Sequence, residues 1–150
     1  MLVPDRIERT IVLTAPPSEV WSALTEPSRI TQWFGTSAEL DLRPGGEAVF
    51  GWGDTDIMAA RIEVVEPERR FAFRWRSGPS DPALPFDAAP TTLVEFHLEP
   101  FDGGTRLTLV ESGFAGLPES TGRVAFDENS GGWTEELNDF AAYLDAHVRS

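Results

Sequence analysis

Polar and apolar residues alternate with a period of two over most of the chain, and two stretches break that rhythm with a helical one. Ile7, Ile11 and Leu13 share parity with Arg9, while Glu8, Thr10, Val12 and Thr14 take the other parity, so residues 6–14 read as a strand. Pro16 and Pro17 stop it and suit a first helical turn, and Val20, Trp21 and Leu24 supply a short apolar face. Pro27 restarts a second short helix over Ser28 to Phe34, with Ile30, Trp33 and Phe34 on one side. Residues 37–42 then form a strand that ends at the turn Arg43-Pro44-Gly45-Gly46. Ala48, Phe50 and Trp52 alternate in the next strand, and Met58, Ala60, Ile62 and Val64 in the one after it. Phe71, Phe73 and Trp75 follow, then Thr92, Val94, Phe96 and Leu98, and finally Thr105, Leu107, Leu109 and Glu111. About seven strands joined mostly by tight turns make an antiparallel sheet. The exception is the segment Ser77 to Pro90, whose four prolines rule out a strand.

The last helix is the element this sheet has to receive. Trp133, Leu137, Phe140, Ala141, Leu144 and Val148 fall on one stripe of a 3.6-residue repeat, with Glu135, Glu136, Asn138, Asp139 and Asp145 on the other faces. Projected backwards, the stripe passes Ser130, Asn129 and Phe126, which sets the helix start near Pro118 or Ser120 and carries it through Gly131 and Gly132. Two glycines inside a helix cost about 1 kcal/mol each relative to alanine. Either they open room for a ligand beside the helix, or they mark a helix break or a close backbone contact. A twisted sheet curls around a single long helix, and one helix is expected to leave part of the concavity unfilled. The predicted fold is therefore α+β: a curved antiparallel sheet around a long C-terminal helix, with two short helices after the first strand and a cavity between sheet and helix.

Composition narrows what such a cavity serves. The 150 residues make one domain with enough apolar content to close a core. A formal charge of -13 repels phosphate backbones and anionic membranes, so nucleic acid is not an expected partner. No run of 18 apolar residues occurs and the first residues lack a signal-peptide core, which points to a cytoplasmic protein without membrane insertion. Cysteine is absent, which removes thiol catalysis and thiolate metal sites. His97 has the parity of the outer sheet face and His147 sits in the last helical turn, so neither suits a pocket. No P-loop, dinucleotide fingerprint or Gly-x-Ser-x-Gly is present. Asp54-Thr55-Asp56 lacks the remaining ligands of a calcium loop and reads as a polar turn, so no metal and no cofactor are expected.

The candidate lining is aromatic: Trp33, Trp52, Phe73, Trp75, Phe96, Phe114 and Trp133, each of which serves equally as core. Arg9 and Glu111 share inward parity on the first and last strands. They are expected as an ion pair at the pocket wall or as polar anchors for a ligand, unless they reach solvent at the strand ends. Asn129, one turn before Trp133, is a further polar candidate, and Gly132 is the position where added bulk is expected to block a ligand.

Several local motifs carry a likeness to a known family. They are Ala15-Pro16-Pro17, Val20-Trp21-Ser22-Ala23-Leu24-Thr25, Pro27, Trp33-Phe34, Arg43-Pro44-Gly45-Gly46, Glu66-Pro67 through Phe73-Arg74-Trp75, Thr105 to Leu109, Ser112-Gly113-Phe114 and Gly132-Trp133. Together they resemble the SRPBCC or START-like helix-grip superfamily, and within it the Aha-type family named for the C-terminal domain of the activator of heat-shock protein 90 ATPase. The resemblance implies the helix-grip fold over nearly the whole chain, with the first and last strands as neighbours. Single-domain relatives resemble binders of small hydrophobic molecules, and other superfamily members are cyclases or lipid carriers. The eukaryotic co-chaperone adds a separate module that engages the chaperone. The expected function is non-enzymatic binding of a small, mainly hydrophobic molecule. The alternatives are a cyclase, dehydratase or hydrolase working through Arg9, Glu111 and Asn129, and a chaperone-related interaction module.

Overall fold

The computed structural model describes residues 5–53, 56–76 and 90–149, the side chains of Asp56 and of residues 147–149 excepted. The proline-rich segment from Ser77, residues Asp54 and Thr55, where a polar turn was expected, and the His147 side chain lie outside the described residues. Strand β1 (Arg6–Leu13) leads into helix α1 (Pro17–Thr25) and helix α2 (Pro27–Ile30). Strands β2 (Ser37–Leu40), β3 (Glu47–Trp52), β4 (Asp56–Glu66), β5 (Arg70–Trp75), β6 (Thr92–Phe101) and β7 (Gly104–Ser112) follow, and helix α3 (Glu119–Arg149) closes the order. All seven strands form one antiparallel sheet in the order β1-β7-β6-β5-β4-β3-β2. The first and last strands are neighbours, as expected, with Ile7 opposite Glu111 and Arg9 opposite Leu109.

Alternation decides which face is buried. On β6, Thr92, Val94, Phe96 and Leu98 are buried, and on β7 so are Thr105, Leu107, Leu109 and Glu111. On β4 the parity shifts. Arg61 pairs with Arg74 and Ile62 with Phe73, but Val64 pairs with Ala72, so Glu63 is an extra residue in a β-bulge. Parity inverts past the bulge, and Val65 packs against the core in place of Val64. The glycine turn before β3 abuts this point: Gly45 N donates to Ile62 O at 2.7 Å and Ile62 N to Gly46 O at 2.8 Å. A Cβ on Gly46 would lie 2.0 Å from the Asp41 carbonyl oxygen, so this position requires glycine.

The second short helix is shorter than expected. It ends at Ile30, and Trp33 and Phe34 fall in the turn behind it. Gly35, at φ +71°, redirects the chain, and Thr36 N donates to Gly51 O at 2.7 Å, committing the backbone to β2 instead of further helix.

Helix α3 runs 31 residues and buries Ala125, Trp133, Leu137, Phe140 and Leu144 against the sheet. Gly131 and Gly132 lie within it without a break, and no close backbone contact explains them. A Cβ at either would meet no described atom within 4 Å. Gly131→Ala is therefore expected to stabilise the protein by about 1 kcal/mol, raising Tm by about 2–4 °C in thermal unfolding. An unchanged or lowered Tm would mean that the position is sterically constrained after all. Among the described residues no helix is long and apolar enough to cross a membrane.

Candidate functional site

Between α3 and the sheet lies a void lined by Leu24, Ile30, Trp33, Phe34, Phe50, Phe71, Phe73, Phe96 and Trp133. It sits where a cavity was expected, yet its volume is about 10 Å³, room for a single water molecule. The sheet alone is too broad for one helix to fill, but the rings close the gap. Phe34 is central: its centroid lies 5.2 Å from that of Trp33, 5.5 Å from Phe50, 5.0 Å from Trp52, 6.0 Å from Trp75 and 5.7 Å from Trp133. The last contact is parallel to within 3°, and Trp75 in turn stacks on Trp133 at 5.9 Å. Trp33 is held in place by its indole N–H, which donates to Ala23 O at 2.9 Å.

Beside this apolar region sits a polar node. Glu111 has no exposed surface. Oε1 accepts from Trp133 Nε1 at 2.8 Å and from Asn129 Nδ2 at 3.0 Å. Oε2 accepts from Trp75 Nε1 at 3.0 Å and from Thr92 Oγ1 at 2.5 Å, with Asn129 Nδ2 also 3.2 Å away. One carboxylate thereby ties together β5, β6, β7 and α3, always as the acceptor. Asn129 and Trp133 are one helical turn apart, which brings both donors to the same face of α3. Trp133 belongs to both environments: its ring lines the void and its N–H reaches the carboxylate.

The anticipated Arg9–Glu111 pair is not formed. Arg9 points to the helix side of β1, but its guanidinium donates to Ser130 Oγ at 2.9 Å, Ser130 O at 3.2 Å, Thr134 Oγ1 at 3.4 Å and Glu8 O at 2.9 Å. Parity put both residues on one face; the register sets them two residues apart on adjacent strands, and α3 captures the long side chain first.

Of the other candidates, Trp33, Phe73, Phe96 and Trp133 line the void. Trp75 serves the node, while Trp52 packs edge-on to Phe34 behind it. Phe114 is buried against Phe126, 5.4 Å away, under the first turns of α3. Gly132 is not among the lining residues. Phe34 and Thr92 were not singled out for the site, although the inward parity of a threonine among Val94, Phe96 and Leu98 was a usable signal.

Among the described residues, larger hollows are open to solvent. One, about 740 Å³, lies on the outer sheet face, where Arg6, Arg69, Arg70 and His97 alternate with Glu8, Glu66, Glu95 and Glu99. Arg70 pairs with Glu95, and His97 lies 3.6 Å from the same carboxylate, so charge there is largely self-compensated. Another, about 480 Å³, lies between the Thr31–Gly35 turn and Asp139, Ala142 and Tyr143 of α3. Among the described residues no three His, Asp or Glu side chains group as a metal site.

The chain matches the family model described as activator of Hsp90 ATPase homolog 1-like protein over residues 14–145. It is similar to the crystal structure of the protein MLL2253 from Mesorhizobium loti, at 24% identity and a TM-score of 0.78, over 94% of this chain and 97% of that one. DynU16, a protein in the dynemicin biosynthetic locus, is similar at 29% identity and a TM-score of 0.75; the match covers 95% of this chain and 48% of that one. The solution structure of the Aha1 dimer from Colwellia psychrerythraea shares the fold at 17% identity and a TM-score of 0.72, over 91% and 92% of the two chains. No curated protein matches the chain. With its sheet wrapped on one long helix and the family pattern running through 132 residues, from 14 to 145, the chain belongs to the activator of Hsp90 ATPase homolog 1-like family.

Proposed function

We propose that the protein binds a small, mainly hydrophobic molecule between the sheet and α3, without turning it over. The observation that carries this reading is the join at Trp133, where a void with a wholly apolar lining meets a fully buried carboxylate. Burying the Glu111 carboxylate carries a desolvation cost that an all-apolar core would avoid, and departures of this kind from core chemistry gather at functional sites. DynU16 lends support as a protein in a biosynthetic locus. Ligands of metabolite size need about 300 Å³ or more, far beyond 10 Å³, so uptake here requires rings to move aside. Acid–base catalysis is the weaker reading, because Arg9 and Glu111 are not brought together.

The test is a titration with 1-aminoanthracene, an apolar fluorescent probe, followed through the indole N–H resonances of the tryptophans. Binding is expected to shift Trp33 and Trp133 most, with Trp21, outside the void lining, least affected. The closed core also favours a second reading, in which the working surface is outside and the partner is a protein such as a chaperone. The absence of a saturable shift at any indole resonance would turn the assignment that way.

A further inference from the structure

Resting on the ligand-binding reading above, we infer that Phe34 is a built-in occupant of the site, and that the ligand is an uncharged planar aromatic molecule whose ring replaces it. Phe34 is surrounded by five rings, stacked parallel on Trp133 and near-parallel on Trp75, with Phe50 and Trp52 edge-on. That is how an aromatic guest is held: flat on one or two rings, with other rings supplying positive edges to its faces. The void abuts this cage, and its lining presents no polar group, so a charged guest would lose its hydration without compensation.

The placement of Phe34 in the chain suits an occupant that leaves. It stands in a turn behind a helix of four residues, not on the sheet. On either side of it Trp33 and Gly35 line the 480 Å³ hollow beside α3, which is large enough to receive a displaced phenyl ring. The backbone beyond Phe34 is tied to β3, since Thr36 N donates to Gly51 O at 2.7 Å, and a Cβ on Gly35 would lie 2.5 Å from that same oxygen. The backbone therefore stays, and the exchange is a side-chain rotation. Such self-occupancy lowers apparent affinity by the fraction of time the cage is vacant, and shortening the occupant removes that penalty.

Toluene and methylcyclohexane test this, being similar in size and differing in planarity. Their dissociation constants would be measured from the Trp133 indole resonance in the wild type, Phe34→Ala and Phe34→Leu, the leucine variant guarding against a failure of the alanine one to fold. The wild type is expected to bind toluene weakly, Phe34→Ala at least about tenfold tighter and Phe34→Leu about threefold tighter, with methylcyclohexane at least about tenfold weaker than toluene throughout. Toluene binding by the wild type that neither substitution tightens, or equal affinity for the two hydrocarbons, overturns the occupant while leaving the binding site in place. Hydrocarbon binding by the variants alone would be that of an engineered cavity and overturns the inference. Failure of the wild type to bind the fluorescent probe as well overturns the parent reading.

Discussion

Glu111→Ala is expected to destabilise the fold by about 4 kcal/mol or more, and Glu111→Gln by about 2 kcal/mol. Removing the carboxylate takes the acceptor from the buried indole N–H groups of Trp75 and Trp133, and one partner each from the buried Thr92 hydroxyl and the part-buried Asn129 amide. Each buried donor left without an acceptor costs about 1–3 kcal/mol, and partial collapse or water entry keeps the sum below four full penalties. Glutamine retains the shape and one acceptor oxygen but turns an NH2 group toward other donors, which removes part of the network and sets N–H against N–H. A domain of this size has about 5–15 kcal/mol in total, so the glutamine variant is the one expected to remain folded and measurable. Urea unfolding should rank the proteins wild type, glutamine, alanine. An alanine variant within about 1 kcal/mol of wild type would show that the node neither braces the sheet nor fixes Trp133.

Much of this was legible in the residue pattern, for a definable reason. Parity in a strand reports a face, and so the inward set on β6 and β7, Glu111 included, could be read directly. The helical stripe of α3 placed Asn129 and Trp133 on one side, and both do reach the node. Parity carries no information on register or reach, however. Nothing in the order of residues said that Glu63 would bulge, nor that Arg9 would be captured by Ser130 and Thr134 before it could meet Glu111. Volume was misjudged for a related reason. Counting elements left a concavity beside α3, while the space is settled by the ring of Phe34, a residue whose own helix stops short of it. For the glycine pair the order of residues left two readings open, because helix propensity measures the cost of glycine and not the crowding around it; the open space beside Gly131 and Gly132 removes the close backbone contact.

Glu136 is expected to make the protein less stable as pH rises from about 4.5 to 7, and Glu136→Gln to remove that dependence. The side chain sits one turn after Trp133 on α3; one oxygen is sealed from solvent and has no hydrogen-bond partner among the described residues. Desolvation by burial, then the nearby charges of Asp139 and Glu135, push its carboxyl up from 4.5 to about 7. Below 4.5 the group is protonated in both the folded and unfolded chain and contributes nothing to the difference. Between 4.5 and 7 the unfolded chain releases its proton while the folded one retains it, so stability falls, and above 7 the ionised group is carried in the folded state at full cost. A shift of this size corresponds to at most about 3 kcal/mol. The group is only half-buried, and screening by solvent brings the expected effect to about 1–2 kcal/mol. Glu136→Gln should therefore exceed wild type by that amount in urea unfolding at pH 8 and match it near pH 4.5, where the wild-type side chain is already neutral. Salt should narrow the gap at pH 8, because Asp139 and Glu135 act through charge. A gap independent of pH would assign the effect to packing, and no gap at pH 8 would mean that the carboxylate is solvated in the folded protein.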